Sequence, residues 1–293
     1  MKVGFIGLGR MGQGMAGRIH GAGHDLTIYD QVPELLTKLG EAGATVAGSV
    51  AEVSAGRDVV IDMLPHDDAL EGLVFSPGGL LESLPKGAIH MPMGTHGVDI
   101  IQRLTEAHEA AGQKLVAGHV LGRPDLAAEG QLSIVPGGAP ELLEQLQPLF
   151  DVLGKRTFIA GSQPQAATAV KIAHNFVLGA AIEIIGEGMS LSRAYGVEPE
   201  LFHRVLTEGL FGCPAFEVYG RIIVDETYDN VGASVSIGIK DANLAMTAGE
   251  RKGVPLPSNN VWRDRLLGAV AHGDGECDWA VMAREQARAS GLE

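Results

Sequence analysis

Cysteine is scarce: the 293 residues hold two, Cys213 and Cys277, far apart along the chain. Two such thiols make no disulfide framework, and they suit a reducing compartment better than an oxidising one. Metal-ligand spacings are missing as well. The chain has no C-x-x-C and no H-E-x-x-H, so no dedicated metal site is expected. Positive charge is short, with 22 lysines and arginines against 36 aspartates and glutamates and a net charge of −14. Phosphate backbones and anionic lipid repel such a chain, which argues against nucleic acid and membrane surfaces as partners. An uninterrupted membrane-length apolar run is also lacking. The most apolar stretch, Ala166 to Ile185, carries Lys171, His174, Asn175 and Glu183, and four polar groups in a bilayer are costly, so a buried core helix is expected. The opening residues run straight into a strand pattern and leave no room for a signal peptide, so a cytoplasmic location is expected.

Glycine is abundant, 41 residues placed in turns rather than in a low-complexity tract. The first half alternates short apolar runs with helical patterns. Val3–Ile6, Leu26–Tyr29, Val59–Leu64, Ala88–Met91 and Lys114–Ala117 read as strands, several continuously apolar as strands buried on both faces should be. Met11–Gly21, Glu34–Leu39, Asp67–Gly72 and Val98–Ala111 read as the helices between them. This alternation predicts a Rossmann-type doubly wound α/β sheet. Leu132–Val135 and Arg156–Ile159 read as further strands flanking a helix from Pro140 to Val152. From Ala166 the chain reads as helices only. A long one reaches Ala194, others open at Pro199 and Pro257, and a last one is capped by Asp278. The expected domains are 1–162, dinucleotide-binding, and 163–293, all-α. The long helix carries more apolar face than a domain of about 130 residues can bury, which predicts a homodimer or homotetramer.

Gly7-Leu8-Gly9-Arg10-Met11-Gly12 follows the first strand and opens the first helix. In this G-x-G-x-x-G setting the first glycine permits the tight turn, the second lets the backbone approach a pyrophosphate, and the third lets helix and strand pack closely. The helix N-terminus adds free N–H groups and partial positive charge. The next strand ends at Asp30, whose carboxylate suits the adenosine ribose hydroxyls and would repel a 2′-phosphate. Gln31 follows it, so no cation is supplied for NADP, and NAD is the expected cofactor.

With these residues the sequence resembles the β-hydroxyacid dehydrogenase family, and the resemblance recurs along nearly the whole chain. Met63-Leu64-Pro65 matches the family segment lining the dinucleotide. Gly94-Thr95-His96-Gly97 matches its Ser-Thr turn near the nicotinamide, with Thr95 kept and glycine replacing serine. Gly130-Gln131-Leu132 matches the segment after the substrate loop. Lys171-Ile172-Ala173-His174-Asn175 matches the segment holding the family's catalytic lysine and asparagine, and Lys240-Asp241 its lysine-aspartate near the cofactor. The resemblance thus implies catalytic Lys171 and Asn175. It implies a cofactor site of Gly7 to Gly12, Asp30, Leu64, Pro65, Thr95 and Lys240. The substrate it implies is a small 3-hydroxy acid or the matching semialdehyde.

Residue chemistry agrees. Lys171 and Asn175 are four apart and share a helix face. A lysine on an apolar helix must lie at a cleft, snorkel or find a partner. At a cleft it can protonate a carbonyl oxygen as hydride arrives, work that partial desolvation would favour.

The chain departs from the family in the substrate loop. Asp-Ala-Pro-Val-Ser-Gly-Gly is replaced by Ala117-Gly118-His119-Val120-Leu121-Gly122-Arg123, which keeps Val120 and Gly122 and loses the hydroxyl. Gly122 and Arg123 are the candidate substrate contacts. Arg123 is either a carboxylate clamp or a structural partner of Asp125 or Glu129. His96, His119 and His174 receive no role. The chain is also similar to imine reductases in its opening motif and helical domain. Those enzymes typically carry aspartate or tyrosine at the position of Lys171 and use NADP.

Overall fold

A computed structural model describes residues 1–292; residue 293, the end of the expected helical domain, lies outside the described residues. The chain forms two compact units, Met1–Lys171 and the remainder from Ile172.

The first unit begins with β1 (Lys2–Ile6), α1 (Arg10–Gly21), β2 (Asp25–Tyr29), α2 (Thr37–Glu41) and β3 (Thr45–Val46). It continues with α3 (Val50–Ser54), β4 (Val59–Asp62), α4 (Asp67–Phe75), α5 (Leu80–Ser83), β5 (Ile89–Pro92), α6 (Val98–Ala110) and β6 (Lys114–Leu115). Six parallel strands pair in the order β3-β2-β1-β4-β5-β6. Alternate residues of a strand go to opposite faces. Val3, Phe5, Val59 and Ile61 enter one core, while Ile6 and Val60 enter another with Leu70 and Leu104. Both faces are thus apolar, which explains the unbroken apolar runs.

The expected strand Lys114–Ala117 divides. Lys114–Leu115 closes the six-stranded sheet, and the chain then turns out of it into β7 (Ala117–Leu121). After α7 (Pro124–Glu129), β8 (Leu132–Gly137) runs antiparallel to β7; beyond α8 (Pro140–Leu153), β9 (Gly154–Thr157) pairs parallel with β8. This second sheet, β7-β8-β9, is separate from the first. The expected helix Glu34–Leu39 is a 3-10 turn, Pro33–Leu36, running into α2.

The long helix α9 spans Pro164–Ala194. The sequence divides the domains at 162/163, whereas the compact units divide between Lys171 and Ile172. The difference arises because the first two turns of α9 are bonded to β7, through Thr168 and Lys171. The second unit then holds α10 (Pro199–Glu208), α11 (Pro214–Asp225), α12 (Val235–Lys252), α13 (Pro257–Ala271) and α14 (Met282–Ala289). Its core gathers Tyr219, Trp262, Leu266 and Trp279 around Ile182 and Ile185. Two of these helices, α11 and α12, are not legible as elements in the sequence. The buried face of α12 is made of Gly238, Asp241, Ala242, Ala245 and Gly249 with Val235, mostly small residues that leave no apolar stripe to read.

Candidate active site

The glycine turn sits between β1 and α1. Gly7 has φ +88, a conformation side chains avoid, and a Cβ there would lie 2.8 Å from the Met63 carbonyl oxygen. A Cβ on Gly12 would lie 1.9 Å from the Gly7 carbonyl oxygen, so only glycine lets the helix start this close to the strand. Around Gly9 the space is open, with nothing within 4 Å. Gly9 is the N-cap of α1 and no side chain caps the helix. The first N–H groups of α1 have no intrahelical acceptor. Backbone donors, a helix dipole and an open approach at Gly9 fit a dinucleotide pyrophosphate.

Asp30 directly follows β2 and closes the turn from its other side. Its Oδ2 accepts from the Leu8 N–H at 2.6 Å and its Oδ1 from the Val32 N–H at 2.9 Å. The Leu8 side chain is wholly buried in the core, so any part Leu8 plays is through its peptide. Arg10 is exposed, and Met11 and Asp30 are half-buried.

Past β4, Leu64 is half-buried and Pro65 exposed. Past β5, Gly94 lies so close to Leu64 that a Cβ would come 2.3 Å from the Leu64 carbonyl oxygen and 2.6 Å from His96 Nε2. The family serine therefore has no room here, and the buried imidazole of His96 lies where its side chain would begin. His96 Nδ1 faces Asp67 Oδ1 at 3.1 Å, and the Gly97 N–H donates to both Asp67 oxygens. Thr95 is half-buried between these glycines.

Lys171, half-buried on α9, donates from Nζ to the Val120 carbonyl oxygen of β7 at 2.8 Å. The preceding residue, His119, is fully buried, with Nδ1 2.7 Å from the Gly94 carbonyl oxygen and Nε2 2.8 Å from Thr168 Oγ1. At the end of β7, Gly122 has φ +143, and a Cβ would meet Leu132 at 2.7 Å. Gly122 is thus required by the backbone, while Arg123 is half-buried at the N-cap of α7.

In the second unit, the Asn175 amide donates to Asp241 Oδ2 at 2.6 Å, and Lys240 Nζ lies 3.0 Å from Asp241 Oδ1. Asn175 and Asp241 are buried. Lys171 and Asn175 fall one turn apart on α9, as their spacing requires. The sequence assigns no role to Asp67, His96, His119 or Thr168, and it singles out Asp241 only as the neighbour of Lys240. For Asp241 the signal was its place beside Lys240. For His119 it was a histidine where the family has proline. Among the described residues, no group of three His, Cys, Asp or Glu side chains is placed to hold a metal ion.

The fold and the glycine turn define an oxidoreductase that uses a nicotinamide dinucleotide. A family model described as the NAD binding domain of 6-phosphogluconate dehydrogenase matches residues 2–161, and one described as NAD-binding of NADP-dependent 3-hydroxyisobutyrate dehydrogenase matches residues 166–285. The "Uncharacterized oxidoreductase YfjR" of Bacillus subtilis is 34% identical, over 97% of this chain and 99% of its own. Glyoxylate/succinic semialdehyde reductase 1 of Arabidopsis thaliana is 30% identical, over 96% and 97%. A crystal structure of 3-hydroxyisobutyrate dehydrogenase from Salmonella typhimurium superposes with a TM-score of 0.86 at 24% identity, covering 97% of this chain and 99% of that one. The chain belongs to the β-hydroxyacid dehydrogenase family.

Proposed function

We propose that this protein interconverts a small 3-hydroxy acid and its semialdehyde, with NAD(H) as cofactor and Lys171 as proton donor and acceptor. The observation that carries the reading is the tethering of Lys171 Nζ to the Val120 carbonyl beside the substrate loop. An ammonium has three donors, and the bond from one of them to Val120 aims the group at the substrate loop. When bound, the dinucleotide supplies or accepts hydride. In reduction the carbonyl π pair takes a proton from Lys171 Nζ and becomes the hydroxyl, leaving a neutral amine that water reprotonates. In oxidation the amine takes the proton back. In the second unit, the Asn175 amide donates to Asp241, and Asn175 Oδ1, 3.3 Å from His174 Nδ1, has a second lone pair with which to accept from a hydroxyl.

NAD is favoured over NADP by the Asp30 carboxylate and by Gln31 beside it. Arg123 is the candidate clamp for the substrate carboxylate, because its planar fork suits two oxygens. The enzyme assembles as a homodimer or homotetramer in the cytoplasm. Helix α9 is long and apolar enough to cross a membrane by length and composition, but its charged and amide groups favour a second copy of the chain over lipid.

Lys171→Ala tests the reading. Turnover should fall by about 100- to 10,000-fold, the usual value of a positioned acid-base group. Lys171→Arg should not restore it, since a guanidinium keeps its proton. NADH binding, followed by fluorescence, should persist in both. Near-normal turnover of Lys171→Ala on a semialdehyde would refute the mechanism, and NADPH-dependent turnover of cyclic imines by the same variant would replace it.

A further inference from the structure

Residues 119 and 120 of β7 grip two other parts of the first unit. The Val120 carbonyl accepts from Lys171. The side chain of His119, buried beneath it, reaches the Gly94 carbonyl on one side and the Thr168 hydroxyl on the other. Thr168 and Lys171 are three apart on α9, neighbours on one helix face. We infer that His119 is a positioning residue, a clamp that fixes the Gly94–Thr95 turn against the first turns of α9 and so holds the turn in register with Lys171. This inference rests on the function proposed above.

The chemistry of the contacts assigns the proton. A carbonyl oxygen only accepts, so His119 Nδ1 carries the hydrogen and donates to Gly94. In the neutral ring Nε2 is then an acceptor, and the Thr168 hydroxyl donates to it. The alternative acceptor for that hydroxyl is the Pro164 carbonyl oxygen, a longer 3.4 Å away. The clamp is thus a directed chain: Thr168 Oγ1–H to His119 Nε2, and His119 Nδ1–H to the Gly94 oxygen. Its members are buried; His119 and Thr168 are both 0% exposed. A buried chain in which every polar atom is satisfied fixes geometry more firmly than packing alone. The sequence accounts for its presence here. Gly94 has no side chain with which to tie down its own turn, and a histidine stands where the family loop has a proline that offers no donor.

Thr168→Val tests the clamp with little change of shape, removing only the hydroxyl. Small misplacements of reacting groups cost up to about 100-fold in rate, so kcat should fall by roughly 10- to 100-fold. KM and the NADH dissociation constant should stay within about twofold, because the glycine turn is untouched. The primary isotope effect with NADH deuterated at C4 should rise as hydride transfer becomes limiting. Thr168→Ser keeps the hydroxyl and should restore kcat. Nitrogen-15 spectra of the wild type, with the signal assigned by its loss in His119→Gln, should show His119 protonated at Nδ1 and bare at Nε2. That readout needs no substrate. A loss of folded protein alone would lower the number of NADH sites and leave kcat per site and the isotope effect unchanged, which overturns the inference. A wild-type kcat in Thr168→Val, or a proton on His119 Nε2, overturns it too. Normal turnover in Lys171→Ala overturns the underlying function, and the positioning role with it, and is told apart because it arises in the lysine variant.

Discussion

Single residues set the chemistry. Asp30 illustrates how one side chain serves fold and specificity together. Its two oxygens hold the Leu8 and Val32 amides, which fixes a carboxylate at the end of β2. A 2′-phosphate brought there meets like charge. The expected preference for NAD over NADP is roughly 1–3 kcal/mol in kcat/KM, the size of a charged hydrogen bond lost and a repulsion gained. Equal kcat/KM values for the two cofactors would rule this out. Gly94 gives a second prediction. Gly94→Ser would set a Cβ 2.3 Å from the Leu64 carbonyl oxygen, and backbone must move to admit it. Overpacking of this kind costs about 1–3 kcal/mol, so the melting temperature should fall. Restoring the family serine should thus lower stability rather than raise it, and an unchanged melting temperature would contradict the geometry. At Arg123 the expected signature is kinetic. Arg123→Ala should raise KM and spare kcat if the group binds a carboxylate uniformly through the reaction, and an unaltered KM would assign it to the α7 N-terminus instead.

At the scale of the element, α9 carries the most. In the second unit, Val177, Ile184 and Leu191 repeat every seven residues and are 63, 60 and 65% exposed. Apolar residues at this spacing form a single stripe along one side of a helix. Its expected occupant is the same stripe of a second copy. Ile184→Glu should therefore shift light scattering toward monomer and leave the fold of the second unit intact. A wild-type chain already monomeric at micromolar concentration would sink the assembly. The ends of such elements are where sequence reading loses precision. In the strand at Lys114–Ala117 the apolar run Leu115-Val116-Ala117 is unbroken, and nothing in its composition marks the exit from one sheet and the entry into another after Leu115. That break depends on which neighbours offer free backbone donors. Likewise α12 buries glycine, alanine and one aspartate, so its packed face has no hydrophobic period to detect.

At the scale of the molecule, the two units should answer pH in opposite directions. In the first, His108 is fully buried between His90 and Gln113, and burial, followed by His90, pushes its pKa down to about 3. The ring is neutral when folded and takes a proton on unfolding below the ordinary value of 6.5. The first unit therefore loses stability as pH falls from 6.5 toward 3, by up to about 1.4 kcal/mol per pH unit from this group. In the second unit, Glu183 is buried beside Arg265. Burial raises its pKa to about 7 against the pull of Arg265. Here the folded state holds the proton longer, so stability is greatest below 4.5 and falls as pH rises through 7. Both tryptophans, Trp262 and Trp279, lie in the core of the second unit, so their fluorescence reports that unit alone. Urea midpoints followed by fluorescence should drop between pH 4.5 and 7, and Glu183→Gln should flatten the trend. If the midpoint rises over that range and Glu183→Gln leaves it unchanged, the assignment is wrong.

What the sequence determined by itself is what local chemistry dictates. The period of the apolar residues gave the parallel strands and the long helix. Glycines at 7, 9 and 12 gave the tight turn between β1 and α1, because positions 7 and 12 have no room for a Cβ and position 9 keeps the approach open. The four-residue spacing placed Lys171 and Asn175 on one helix face. The tertiary structure decided what depends on partners distant in the chain. It bonded Asn175 to Asp241, 66 residues away, and brought His119 between Gly94 and Thr168, 25 and 49 residues away. It also bonded the first turns of α9 to β7, so that the compact units part within that helix, between Lys171 and Ile172. Such contacts leave no period and no motif in a single chain: a buried polar side chain takes whichever partner the packed backbone brings within hydrogen-bond reach, and that is settled only when the whole unit has folded.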